Sequence, residues 1–97
     1  MRYAAKTDAN QQEIIDDLRK AGACVYPTHR IGGGFPDLVV GIRGANYLLE
    51  VKTADGTLTP AERKFFDGWI GQAAIVRTSE EALIACGLAP YAVKAKG

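Results

Sequence analysis

Apolar residues fall into short blocks, and their spacing switches between the period of a helix and that of a strand. Ile14, Leu18 and Ala21, joined by Ile15, repeat at helical spacing within a helix from Thr7 to Lys20, with Thr7 or Asp8 as N-cap and Gly22 as the stop. Ala23-Cys24-Val25-Tyr26 reads as a short strand ended by Pro27. Two runs, Asp37 to Ile42 and Tyr47 to Lys52, are rich in β-branched and large apolar residues and flank the turn-like Arg43-Gly44-Ala45-Asn46, which predicts a β-hairpin. Thr59 then caps a second helix, with Pro60 at its first position and Glu62 completing a capping box. Ala61, Phe65 and Trp69, flanked by Phe66 and Ile70, give this helix an apolar stripe up to its expected end at Gly71. With helical spacing and a sheet to cover, the stripe reads as core and not as a base-stacking platform. Ala73 to Arg77 forms a last strand, and Thr78-Ser79-Glu80-Glu81 caps a short helix from Glu80 to Cys86, closed by Gly87.

The predicted order is α-β-β-β-α-β-α, a single-domain α/β sandwich over residues 1–97 with a mixed central sheet flanked by helices. The core is expected over about residues 8 to 86. The tail from Leu88 to Gly97 has no clear period and is expected to stand outside it, whether disordered or used in assembly.

The hairpin is where the polar pattern breaks the apolar one. Both strands are otherwise apolar on both faces, so the hairpin should lie inside a sheet covered on both sides. Glu50 and Lys52 share one face because side chains alternate along a strand. A Gly44-Ala45 turn would pair Arg43 with Asn46, placing Asp37 opposite Lys52 and Val39 opposite Glu50. All three ionisable groups then lie on one face, and a slip of one residue would send Asp37 to the other. Charges at the edge of such a core are costly unless paired or bound to a metal.

Composition narrows the classes. The chain has 97 residues, 47% hydrophobic, enough for one modest core, and twelve basic residues against eleven acidic ones. That near-neutral balance argues mildly against a large phosphate footprint. Cys24 and Cys86 are far apart, form no CxxC pair and accompany a single histidine, so a structural zinc site is not expected. Both are expected as reduced, buried thiols. No apolar run reaches the roughly 18 residues of a membrane helix, and the N-terminal stretch has no signal-peptide core. A soluble, cytoplasmic protein with no membrane partner is the expectation.

Asp37 and Glu50 offer hard oxygen ligands suited to Mg²⁺ or Mn²⁺, with the Val51 carbonyl as a third. Lys52 is placed to orient or deprotonate an attacking water and to offset charge on a five-coordinate phosphorus. Together these parts suit phosphodiester hydrolysis, although a buried ion-pair network would also account for them. Glu13, at the border of the first helix's apolar face, is either a solvated carboxylate or one leaning towards this site. Ile31-Gly32-Gly33-Gly34 either lets Gly33 and Gly34 approach a phosphate or serves as a flexible loop, and it lacks the P-loop pattern. His29, just upstream, is an ordinary polar residue or a phosphate contact. Glu62 is sufficiently explained by the helix cap.

Pro36-Asp37 followed by Glu50-Val51-Lys52 on this framework resembles the PD-(D/E)XK nuclease superfamily, and more narrowly its virus-type replication-repair nuclease domain, small forms of which are stand-alone phage and prophage proteins. Asn10 to Ile15, Gly34 to Leu38, Leu49 to Lys52, Leu58-Thr59-Pro60 and Ser79 to Leu83 are similar to that family's segments, in the same order. The resemblance implies a restriction-endonuclease-like fold. It implies that Asp37 and Glu50 bind the metal, that Lys52 is the catalytic lysine, and that Glu13 supports metal or water. The chain departs from the family at Glu62, where glutamine is common, and in the short loop from Thr53 to Thr57.

The resulting expectation is a Mg²⁺- or Mn²⁺-dependent DNA endonuclease selective for branched or four-way-junction DNA. Cutting both strands would need a homodimer. His29, Arg30, Gly33, Gly34 and Arg43, with Arg2 and Lys6, are the candidate nucleic-acid contacts. The alternative is a catalytically inactive DNA-binding or assembly module of a phage replication or repair system.

Overall fold

A computed structural model of the chain describes residues 9–88. Its elements are α1 (Ala9–Lys20), β1 (Cys24–Pro27), β2 (Leu38–Ile42), β3 (Ala45–Val51), α2 (Pro60–Gly68), β4 (Ala73–Val76) and α3 (Ser79–Ala85). The N-cap expected at Thr7 or Asp8 lies outside the described residues. The strands form one sheet in the order β1-β2-β3-β4. β1, β2 and β3 are antiparallel neighbours, whereas β4 runs parallel to β3 after the crossover through α2. The architecture is α/β with three helices and a mixed sheet.

The hairpin forms, with a different turn. Ile42 pairs with Ala45, so the two-residue loop is Arg43-Gly44. Arg43 has φ 53° and Gly44 φ 78°, the two consecutive positive values that a type I′ hairpin turn requires and that match the twist of the flanking strands. Leu38 therefore pairs with Leu49 and Val39 with Leu48, a two-residue shift from the expected register. Because the side-chain period is also two, the faces are unchanged. Continuing the ladder by one step places Asp37 opposite Glu50, not Lys52.

One face of the sheet makes the core. Val25, Leu38, Val40, Leu49, Val51 and Val76 pack with Ile14, Ile15 and Leu18 of α1 and with Ala82 and Leu83 of α3. α1 also packs on α3 and β1, and α3 on β4. Gly22, at φ 101°, lets the chain leave α1 in the left-handed conformation, with the Ala23 amide donating back to the Leu18 carbonyl at 3.0 Å. The core reaches one residue into the expected tail, since Leu88 is 7% exposed and belongs to it. The rest of that tail lies outside the described residues.

The opposite face is covered only in part, contrary to the expectation of cover on both sides. Leu48 and Glu50 are buried there, but Tyr26 is 69% exposed. Cys24, on the same face of the edge strand, is exposed too, and only Cys86 is the buried thiol expected of both. The cause is α2, which has no buried residue and packs extensively on no other element of the described chain. The helix ends at Gly68, and Trp69 is its extended C-cap at φ −82° and ψ 125°. Ile70 therefore leaves the helical stripe and is fully exposed, while Trp69 still stacks on Phe65. No helix of the described residues is long and apolar enough to cross a membrane.

α2 is seated by its N-terminus. Gly34, at φ 83°, lies so close to the start of α2 that a Cβ would overlap the Ala61 carbonyl, whereas a Cβ on Gly33, at φ 64°, would meet nothing within 4 Å. Gly33→Ala should cost about 1–2 kcal/mol from the left-handed backbone alone. Gly34→Ala should cost more, because backbone atoms must also separate. Urea denaturation of the two variants measures the difference.

Candidate active site

Four polar side chains converge where β2 begins and β3 ends. Asp37 immediately precedes β2, and its Oδ2 accepts a hydrogen bond from the Val51 amide at 2.9 Å. Its backbone is pinned from the other side, with the Thr28 amide donating to the Asp37 carbonyl at 2.7 Å and Thr28 Oγ1 donating to the Pro36 carbonyl at 2.8 Å. Glu50, on the partly covered face of β3, is 2% exposed. Lys52 follows on the same face, its Nζ 3.3 Å from Glu50 Oε2 and 2.7 Å from Glu62 Oε1.

Glu62 does two jobs with one oxygen. Oε1 accepts from the Thr59 amide at 2.9 Å, completing the capping box of α2, and accepts from Lys52 Nζ. The cap explains the residue locally, as the sequence indicated, but the same carboxylate also anchors the lysine. On the other side Asn10, in the first turn of α1, donates from Nδ2 to the Lys52 carbonyl at 3.2 Å. Neither role was legible in the sequence. The capping signature marked Glu62, yet no local signal points from α2 to β3, and Asn10 is separated from Lys52 by most of the sheet.

The electrostatics follow from burial. Desolvation raises the Glu50 carboxyl from its ordinary 4.5 to about 8, with the negative neighbours Asp37 and Glu62 adding to the rise and Lys52 opposing it. Burial also raises Asp37, against the lowering effect of the Val51 amide and of hydrogen bonding to Glu50. Burial alone would pull Lys52 down and push Glu62 up. Their mutual hydrogen bond reverses both, so Lys52 is raised and Glu62 lowered. Lys52 is therefore held as an ammonium in this arrangement, suited to orienting a water and offsetting phosphate charge more than to removing a proton.

The donor set fits a hard divalent cation in one specific respect. Glu50 Oε1 is buried, and no group among the described residues donates to it, beside a second carboxylate that is itself short of solvent. Two adjacent carboxylates with one orphaned oxygen suit Mg²⁺ or Mn²⁺, which keep waters and take substrate oxygens in their remaining positions. No group of three or more His, Cys, Asp or Glu gathers as a metal cage among the described residues, so Glu13 is not part of such a cluster. Glu13 is exposed on α1. The contact of Val51 with Asp37 is through its amide.

Of the other expected contacts, Arg2 and Lys6 lie outside the described residues, and the rest divide into two places. His29, Arg30 and Gly33 are exposed on the loop between β1 and β2, whose base Thr28 clamps to Asp37, so they border the site. Gly34 is occupied in packing against α2. Arg43 sits in the hairpin turn at the far end of β3, about 17 Å along the strand from Glu50, and is not near the site.

Glu50 gives a pH dependence of determinate sign. Its folded pKa lies above its unfolded one, so the stabilisation it gives is complete below the ordinary carboxyl range and is lost as pH rises through about 8. Asp37 acts in the same direction, while the lowered Glu62 matters only towards acid. Without divalent metal, the melting temperature should fall between about pH 5 and pH 9. Glu50→Gln should flatten that fall, and Mn²⁺ should raise the wild-type melting temperature most at the alkaline end. Thermal melts with and without chelator check both.

Comparison of the chain with protein-family models, with curated proteins and with solved structures finds no match in any of the three.

Proposed function

We propose that this chain is a Mg²⁺- or Mn²⁺-dependent DNA endonuclease that hydrolyses phosphodiester bonds at the Asp37, Glu50 and Lys52 cluster. The observation that carries the reading is the buried Glu50 oxygen that receives no donor among the described residues, next to Asp37 and with a clamped ammonium at the other oxygen. A purely structural ion pair would satisfy its carboxylate oxygens, because an unpaired buried polar atom costs about 1–3 kcal/mol.

Asp37 and Glu50 would hold the cation, which when bound polarises a phosphoryl oxygen and makes a water more acidic. Lys52, fixed between Glu50 and Glu62, orients the attacking water and offsets the charge that develops on the phosphate oxygens. Glu62 is a positioning residue that acts through Lys52. Asn10 holds the lysine's backbone. The near-neutral chain fits a DNA surface assembled from two copies, and paired sites in a homodimer would cut both strands of branched or four-way-junction DNA. Arg30 and His29, exposed on the loop whose base Thr28 is bonded to the Pro36-Asp37 backbone, are candidates for phosphate contact.

Labelled linear, flapped, splayed and four-way-junction DNA, incubated with Mg²⁺, Mn²⁺ or chelator, tests the reading. Metal-dependent cleavage should fall by on the order of a hundredfold or more in Asp37→Ala and Lys52→Ala. Folded wild type that binds DNA but cuts none of these substrates would replace the endonuclease with a binding or assembly module.

Glu62→Gln separates positioning from capping. The amide still accepts from Thr59 but lacks the charge that holds Lys52. Cleavage should drop about tenfold, less than in Lys52→Ala, with stability nearly unchanged in thermal melts.

A further inference from the structure

α2 carries aromatic rings that the core does not use. Phe65 and Phe66 are half-buried, and Trp69 is 43% exposed. The rings are nevertheless ordered against one another. Phe35, from the loop bordering the site, meets Phe65 edge to face at 5.5 Å, and Trp69 stacks on Phe65 at 4.9 Å with an interplanar angle of 21°. Gly71 lies against the other end of the indole, where a Cβ would come within 2.9 Å of Nε1. The indole is thus fixed in orientation while much of its surface remains open.

The position of this ledge matters. Glu62, Phe65 and Phe66 lie on one side of α2, at i, i+3 and i+4, and Glu62 is the residue that grips Lys52. From Glu62 to Trp69 the helix rises about 10 Å, roughly three base steps along one DNA strand. Arg63 is exposed on the flank of the same helix and Arg30 on the adjoining loop, whereas Lys64 and Asp67, about 150° round the helix from the rings, are exposed on its far side. Open aromatic rings flanked by exposed arginines are what single-stranded nucleic-acid sites combine.

We propose that Trp69, backed by Phe65, is a stacking ledge for unpaired bases of the DNA strand whose phosphate lies at Lys52. The position of that phosphate rests on the endonuclease reading above; the ledge itself does not. The substrate it selects is DNA with unpaired nucleotides beside the cut, such as a flap or splayed end, over fully paired duplex. Stacking is tolerant of sequence because every base presents a π-face.

Trp69 is the chain's only tryptophan, so its fluorescence reports the ledge directly. Wild-type protein in chelator is titrated with oligothymidylate of roughly 12 nucleotides and with a blunt duplex of equal charge. Saturable quenching by the single strand, and little by the duplex, is the expected result. By anisotropy of the labelled oligonucleotide, Trp69→Ala should weaken single-strand binding on the order of tenfold to a hundredfold. Trp69→Phe should restore most of it. No quenching, or unchanged affinity in Trp69→Ala, overturns the ledge, as does light scattering that finds a dimer broken by Trp69→Ala with no response to oligothymidylate. If Trp69→Ala does not fold, wild-type quenching and the Trp69→Phe affinity decide. Quenching without cleavage of any substrate supports the ledge and sinks the endonuclease, whereas cleavage without quenching sinks the ledge alone.

Discussion

A carboxylate taken out of water must acquire a proton, a cation or a full set of hydrogen bonds. Glu50 is 2% exposed, with one oxygen that receives no donor among the described residues, and the site is arranged around that condition. The neighbouring Asp37 is fixed by the Val51 amide and cannot supply a counter-charge. Lys52 supplies one but is shared with Glu62. The proton that Glu50 retains up to about pH 8 is the remaining compensation, and it is one that a divalent cation would displace. Site protonation and stability are thereby linked, and any cation bound there would be linked to both.

That cluster also explains how α2 is attached. A helix with no buried residue gains little from apolar burial, so its place depends on a few directional contacts: the Lys52 to Glu62 bond, the close approach of Gly34 to Ala61, and Phe35 against Phe65. Elements with few buried apolar contacts open more readily than the core. The side of the site formed by α2 is thus its more yielding wall, while β2 and β3 hold the carboxylates rigidly. A nuclease that must admit a strand beside two fixed carboxylates would use such an asymmetry, with the aromatic rings carried on the wall that can give.

Several features were written locally. The element order, the capping box at Thr59 and Glu62, the core stripe of α1 and the hairpin follow from short-range periodicity and turn chemistry. So did the shared face of Asp37, Glu50 and Lys52, because strand alternation depends only on parity. The turn was misplaced at Gly44-Ala45, yet the resulting slip of two residues preserved that face. Placing Asp37 opposite Lys52 was wrong for the same reason that the face was right.

What the sequence left open was every decision made between elements. Periodicity shows that a helix has an apolar side but not that another surface will arrive to cover it, so the stripe around Phe65 and Trp69 read as core and is not. The Glu62 cap was visible because its partner is three residues away; its grip on Lys52 was not, because β3 and α2 meet only in the folded chain. Asn10 under the Lys52 carbonyl and the exposure of Cys24 on an edge strand belong to the same class. The sequence by itself determined the order and type of the elements and which hairpin side chains share a face, since those are set by the backbone period, though not where each element begins and ends. Only the tertiary structure decided which faces are buried and which charges meet, because both depend on distances between segments that no local pattern contains.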